Sequence, residues 1–137
     1  MTTLPRQAYV NAVATNYVRL PGTPLRPSRA DRRFASSLYE QRVPLRVVYE
    51  AFVLAIVRRE IRSPALPRLP AIRTLQFFQG AIDEILEAQP APDYIQYLAA
   101  KIKPLVAQKE LALRTRVHDD HDAAERRPDK PSDSRGF

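Results

Sequence analysis

LRVVYEAFVLAIV, residues 45–57, carries only two charged side chains, Arg46 and Glu50, among otherwise apolar positions. Leu45, Val48, Tyr49, Phe52, Ala55 and Ile56 recur at steps of three and four and make one helical stripe, while Val47, Ala51 and Leu54 make a second. Pro44 suits the first turn of such a helix, where its fixed φ is already helical and its missing N–H has no intrahelical partner. A helix apolar almost all round must be buried almost all round. The stretch is too short to span a bilayer, which takes about 20 consecutive apolar residues, and Arg42, Arg46, Arg58, Arg59 and Arg62 flank or interrupt it. It therefore reads as the spine of a small helical domain. Arg46 and Glu50 stand at i,i+4 and are expected to pair on the strip that reaches water, worth roughly 0.2–0.5 kcal/mol.

Upstream, Thr2 or Thr3 can cap a first helix opened by Pro5, with Tyr9, Val13, Tyr17 and Leu20 along one side and Pro21-Gly22 as its stop. Ser28 with Asp31 three residues later resembles a capping box and starts a second helix to about Gln41, its inner face expected at Ala30, Phe34, Ala35 and Leu38. A short turn then joins it to the central helix, so that residues 28–62 form a helical hairpin or a helix-turn-helix-like corner.

Downstream, SPALPRLPAIR excludes helix through Pro64, Pro67 and Pro70 and reads as a polyproline-like strap pinned to the core by Leu66, Leu69 and Ile72. A clean amphipathic helix follows to Ala88, with Leu75, Phe78, Ile82, Ile85 and Leu86 expected inward. The last helix keeps its period through Ile95, Leu98, Ile102, Leu105 and Val106. Pro104 should kink it or end it near Lys103, because an interior Pro costs about 3 kcal/mol. From His118 the composition is almost free of apolar residues and reads as a disordered polar tail. The fold class is all-α: about five helices around a central hydrophobic helix, forming one domain over 1–117, with the tail at 118–137. No sustained alternation and no Asn-Gly or Asp-Gly turn competes with that reading.

The formal net charge of +7 is unevenly spread. Met1 to Arg73 holds thirteen Arg, no Lys and four acids, a balance of +9, whereas the remainder holds nine basic and eleven acidic residues, a balance of −2. An Arg-only excess favours phosphate, since guanidinium forks pair bidentately with phosphate oxygens and stack on bases. The competing explanation is a GC-rich genome that writes Arg for Lys on ordinary solvated faces. The chain has no Cys, which excludes disulfides and thiolate metal sites and fits a reducing, cytoplasmic setting. MTTLPRQAYV lacks the basic and then apolar pattern of a secretory signal.

Several chemistries are disfavoured. Both histidines lie in HDDHD, where His118 and His121 at i,i+3 could ligate a divalent metal only if helical, and a solvated tail is the simpler reading. With no His or Cys elsewhere and three Gly in all, triads, cysteine nucleophiles and glycine-rich phosphate loops are not expected. The six tyrosines are spaced as helix-face packing, and Asp31, Glu40, Glu50 and Glu60 sit among arginines as ion pairs rather than as a nuclease cluster. Neither an enzyme, a cofactor, a metal nor a membrane span is expected.

The nucleic-acid case rests on Arg29, Arg32, Arg33, Arg42, Arg46, Arg58, Arg59, Arg62, Arg68 and Arg73. Arg58, Arg59 and Arg62, at one helix end, are expected to face a phosphate backbone together. A base-reading helix would need an exposed polar N-terminal half, and here that half is VVYEAFV, so backbone contact without strong sequence readout is the expectation. The alternative is a protein-interaction or self-association module that docks an acidic or apolar partner.

LYEQRVPLRVVYEAFVLAIVRR, a Pro-rich spacer and IRTLQFFQGAIDEI together resemble the small helical modules of bacterial replication-accessory and mobile-element proteins, in the style of DnaD-like domains. The likeness spans about Tyr17 to Glu87. The Trp-terminated aromatic motif that such domains carry after their last helix has no counterpart in this Trp-free chain. The resemblance implies an accessory role on DNA, in replication or in a mobile element.

Overall fold

The computed structural model describes residues 4–61, 65–67 and 69–126, with the backbone alone for 116–126. Five α-helices follow in order: α1 (Arg6–Val18), α2 (Arg29–Glu40), α3 (Leu45–Glu60), α4 (Gln79–Ala88) and α5 (Pro92–Arg126), with a 3₁₀ turn over Leu75–Phe78 running directly into α4. The described residues contain no strand. The fold is all-α, and α3 is its spine: it packs on α1, α4, α5 and the 3₁₀ turn.

Val47, Val48, Ala51, Phe52, Leu54, Ile56 and Val57 of α3 are buried, as an all-round apolar helix requires. Glu50 is buried with them rather than lying on a wet strip, because α3 is covered on most sides. Both its carboxylate oxygens accept from Nη1 of the exposed Arg46 at 3.2 Å, so the charge taken into the core keeps a cation at its mouth.

The α1 face Tyr9, Val13, Tyr17 and Leu20 is buried as its spacing predicts. Pro5 occupies the cap position without a side-chain cap, and Thr2 and Thr3 lie outside the described residues. On α2 the Ser28–Asp31 capping box is formed in both directions. Of the expected inner face Ala35 and Leu38 are buried and Phe34 is half-buried against the core, but Ala30 is exposed and Asp31 is buried in its place. A carboxylate reaches the interior here because three groups receive it or its backbone: Oδ2 accepts from the Ser28 N–H at 2.9 Å, Oδ1 from the Leu75 N–H at 2.9 Å, and the Asp31 N–H donates to Ser28 Oγ at 3.0 Å.

α2 ends in a Schellman arrangement. The Arg42 N–H donates to Tyr39 O and the Val43 N–H to Leu38 O, both at 3.0 Å, with Leu38 and Val43 buried against the core. Arg42 takes the left-handed position, φ 62°, that glycine usually fills, at a cost of about 1–2 kcal/mol. α2 then rests on α1 and on the 3₁₀ turn rather than on α3, so of the two arrangements expected for residues 28–62 the chain adopts a corner, not a packed hairpin.

The Pro-rich connection crosses back over the end of α1, where the Ile72 N–H donates to Gly22 O at 2.8 Å. Ile72 alone of its three expected anchors is buried; Leu66 and Leu69 are exposed. In α4 Leu86 is also exposed, one position beyond Ile85, which takes the inward place.

α5 does not stop at Pro104. The helix continues as one element to Arg126, past the boundary expected at Val117. Two anchors hold the segments on either side of the proline against the rest of the fold. Ile95, Leu98 and Ile102 are buried before it, and after it Lys109 Nζ donates to Leu20 O at 2.9 Å and to Thr23 O and Oγ1 at 2.8 Å. Glu110 pairs with Arg19 one residue on. Beyond Pro104 neither Pro nor Gly recurs before Arg126, so nothing in the chain terminates the helix earlier. The same lysine satisfies carbonyls left open where Pro21-Gly22 ends α1.

Burial sets the pH response of this core. It raises the Tyr9 phenol to about 12 and moves Tyr17 and Tyr49 upward as well. A phenol that holds its proton in the folded chain but loses it near pH 10 when unfolded contributes stability that is complete below about pH 10 and is lost as pH climbs towards 12. Lys109, lowered to about 8 by burial, acts with the opposite sign: the folded chain releases its proton first, so stability rises between about pH 8 and 10.5. Three phenols outweigh one partly solvated amine. The urea midpoint is expected to rise modestly from about pH 8 as Lys109 releases its proton, and to fall steeply between about pH 10 and 12 as the phenols take over. Tyr17→Phe removes a buried hydroxyl that has no hydrogen-bond partner among the described residues, so it should hold or raise the neutral-pH midpoint and delay the alkaline fall. An unaltered alkaline limb in that variant rules this account out.

Candidate nucleic-acid interface

The ten arginines singled out by the sequence fall into three places, with Arg62 and Arg68 outside the described residues. Arg42 and Arg46 stand at the start of α3 and Arg58 and Arg59 at its end; Arg46 and Arg58 are about 18 Å apart along the axis at 1.5 Å per residue. No single flat contact unites those two sets. Arg46 is committed to Glu50, and Arg42 sits in the Schellman turn.

A second set lies on α2. Arg29 and Arg33 are exposed on the face opposite Asp31, Ala35 and Leu38, one helical turn apart, while Arg32 leans to α1 and donates through Nη1 to Asn11 Oδ1 at 3.1 Å. The Asp31–Leu75 hydrogen bond draws the strap against this end of α2, and Arg73, exposed, stands two residues before Leu75.

Arg73 also belongs to the third place, a groove of about 1040 Å³ floored by the last turn of α3, the strap, the 3₁₀ turn and the first turns of α4. Arg58, Arg59 and Arg73 all line it, with Thr74, Gln76, Phe77 and Glu84. Here three of the sequence-derived residues come together. Arg58 closes one wall by a two-pronged pair with Glu84, Nη1 to Oε1 at 2.7 Å and Nη2 to Oε2 at 2.5 Å, and these hydrogen bonds hold the Glu84 carboxyl below its ordinary range. Arg59 clamps the strap: Nη2 donates to Pro70 O, Nε is buried without an acceptor among the described residues, and the guanidinium carbon lies 6.0 Å from the Phe77 ring centroid. Gly22, φ 81°, packs against that guanidinium, and a Cβ there would lie 3.4 Å from Arg59 Nε. The groove thus has one neutralised ion pair, one guanidinium fixed against an aromatic ring, and one exposed guanidinium.

The chain matches no protein-family model, no curated protein sequence and no solved structure. What the surface does must therefore be argued from its own groups.

No group of three or more His, Cys, Asp or Glu converges as for a metal ion among the described residues. His118 and His121 lie on the helical part of α5 whose side chains are outside the description. No helix among the described residues is long and apolar enough to cross a membrane.

Phe77 and Glu84 are the groove residues that reading the arginines alone passes over. The signal for Phe77 was present: in an amphipathic segment two adjacent phenylalanines cannot both point inward, and Phe78 carries the inward phase. Nothing in the sequence pairs Glu84 with Arg58, because a surface ion pair 26 residues apart is set by how α3 and α4 pack.

Proposed function

We propose that this chain is a non-enzymatic nucleic-acid-binding accessory protein, acting in the cytoplasm and contacting phosphates through two sets of arginines, Arg58, Arg59 and Arg73 in the groove and the exposed Arg29 and Arg33 on α2. The observation that carries this reading is the meeting of Arg58, Arg59 and Arg73 in one groove. Guanidinium groups so placed neutralise phosphates without reading bases. The buried N-terminal half of α3, Val47 to Val53, supports backbone contact over base readout for the same reason it cannot enter a groove of DNA. A role in replication or in a mobile element is the one implied by the resemblance to DnaD-like modules.

The test is fluorescence anisotropy of labelled single- and double-stranded oligonucleotides against the full chain at low and at physiological salt. Binding should weaken steeply as salt rises, since each neutralised phosphate contributes about 0.7–0.9 to the slope of log K against log salt. Arg29→Gln, Arg33→Gln and Arg73→Gln together change exposed side chains only, and each should reduce that slope by about 1 or less. Flat traces at low salt overturn the proposal.

The second reading, a module that docks a protein or a second copy of itself, is favoured by one observation: Leu86, Tyr94, Tyr97 and Leu111 leave large apolar groups exposed on α4 and α5. Association driven by that face would persist at high salt and would be seen by sedimentation of the chain alone.

A further inference from the structure

We infer that the groove binds a single strand, with Phe77 as the platform on which an unpaired base stacks. The inference rests on the nucleic-acid reading above and narrows its ligand from phosphate-bearing polymer to unpaired strand. Phe77 is 50% exposed although Phe78 beside it is fully buried, so a large flat apolar ring is presented to solvent inside a groove that also carries arginines. The ring is held in place. Phe78 meets it edge-on, centroids 5.1 Å apart at 84°, and the Arg59 guanidinium stands 6.0 Å from its centroid. Arg59 is in turn fixed by Pro70 O and by the close approach of Gly22.

An aromatic ring bordered by cations matches the repeating unit of a single strand, in which a flat base alternates with a phosphate. Arg73, exposed on the same groove, is the group left to meet the phosphate, while Glu84 opposite is neutralised by Arg58 and does not repel it. The exposed Gln76 side chain lies on the same lining, and its amide can both donate to and accept from a base edge. A duplex keeps its base faces stacked on one another and offers only phosphates and groove edges. It can engage the arginines but not Phe77. DNA and RNA strands share the stacking chemistry, and an oligomer of each is an arm of the test.

The experiment uses the full chain and four labelled probes of equal length: oligothymidine, oligouridine, an abasic DNA strand and a DNA duplex. Phe77→Ala should weaken oligothymidine and oligouridine binding by roughly 5- to 150-fold, the equivalent of losing one stacked base, while leaving abasic-strand and duplex affinities and all salt slopes unchanged. Phe77→Trp should retain strand binding, and because the chain has no other Trp its fluorescence reports stacking directly by quenching on the base-bearing strands and not on the abasic one. Equal losses on all four probes, or strand binding indifferent to Phe77, overturn the stacking inference while salt-dependent binding leaves the phosphate reading intact. Absence of binding to every probe at low salt overturns both.

Discussion

Phe78→Ala should lower the unfolding free energy by about 3–5 kcal/mol, a large part of the roughly 5–15 kcal/mol that stabilises a typical domain. Phe78 is fully buried, and its ring meets Phe52 of α3 edge-on at 4.9 Å and Tyr17 of α1 at 6.1 Å and 87°. One side chain from the 3₁₀ turn thus joins three elements that are distant in sequence, and its removal leaves a cavity that rigid helices on two sides cannot collapse to fill. Urea titration followed by circular dichroism measures this, with an unchanged m-value expected. Phe77→Ala, the same chemical change one residue earlier, should cost under about 1 kcal/mol because that ring is already half in water. The contrast keeps the binding test on Phe77 separate from folding. A loss below about 1 kcal/mol for Phe78→Ala would mean that the aromatic cluster is not the centre of the core.

Asp31→Ala is expected to have the second largest effect, about 2–4 kcal/mol, as the sum of a lost helix cap and a buried donor left without an acceptor. The Leu75 N–H loses the acceptor that Asp31 Oδ1 supplies, and the Ser28 N–H loses the return half of the capping box. Asp31→Asn retains a single carbonyl oxygen able to serve one of the two donors, so it should lie between wild type and Ala. Because the Leu75 bond sets where Arg73 stands, Asp31→Asn should also weaken oligonucleotide binding more than its modest loss of stability accounts for. Equal stability of the Ala and Asn variants would show that the carboxylate is held by its position at the helix N-terminus rather than by its two hydrogen bonds.

Much of this architecture was readable in the chain because it follows from local rules. Residues 45–57 are too apolar to lie anywhere but inside, the Ser28–Asp31 pair caps α2 as its spacing implies, and Tyr9, Val13, Tyr17 and Leu20 turn inward together. The errors are of one kind. Ala30 was expected inside in place of Asp31 because apolarity alone ranks alanine first, yet the interior at that point contains an amide, the Leu75 N–H, which needs an acceptor. Pro104 is expected to kink the last helix or to end it near Lys103, and the helix does not end there: the buried row before the proline and the Lys109 contacts after it outweigh its penalty, and both depend on α1 and α3 lying alongside.

The candidate site divides in the same way. Composition and order established that the basic excess lies in the first half of the chain and is carried there by arginine alone, because charge is a property of residues. Which of them share a surface was decided by packing. The α3 helix separates Arg42 and Arg46 from Arg58 and Arg59, Glu84 arrives on α4 to occupy Arg58, and the strap carries Arg73 into the groove beside Phe77. Helix periodicity fixes the face of a side chain to within a turn, whereas the neighbour it meets comes from another segment, at a distance set only once the core has closed.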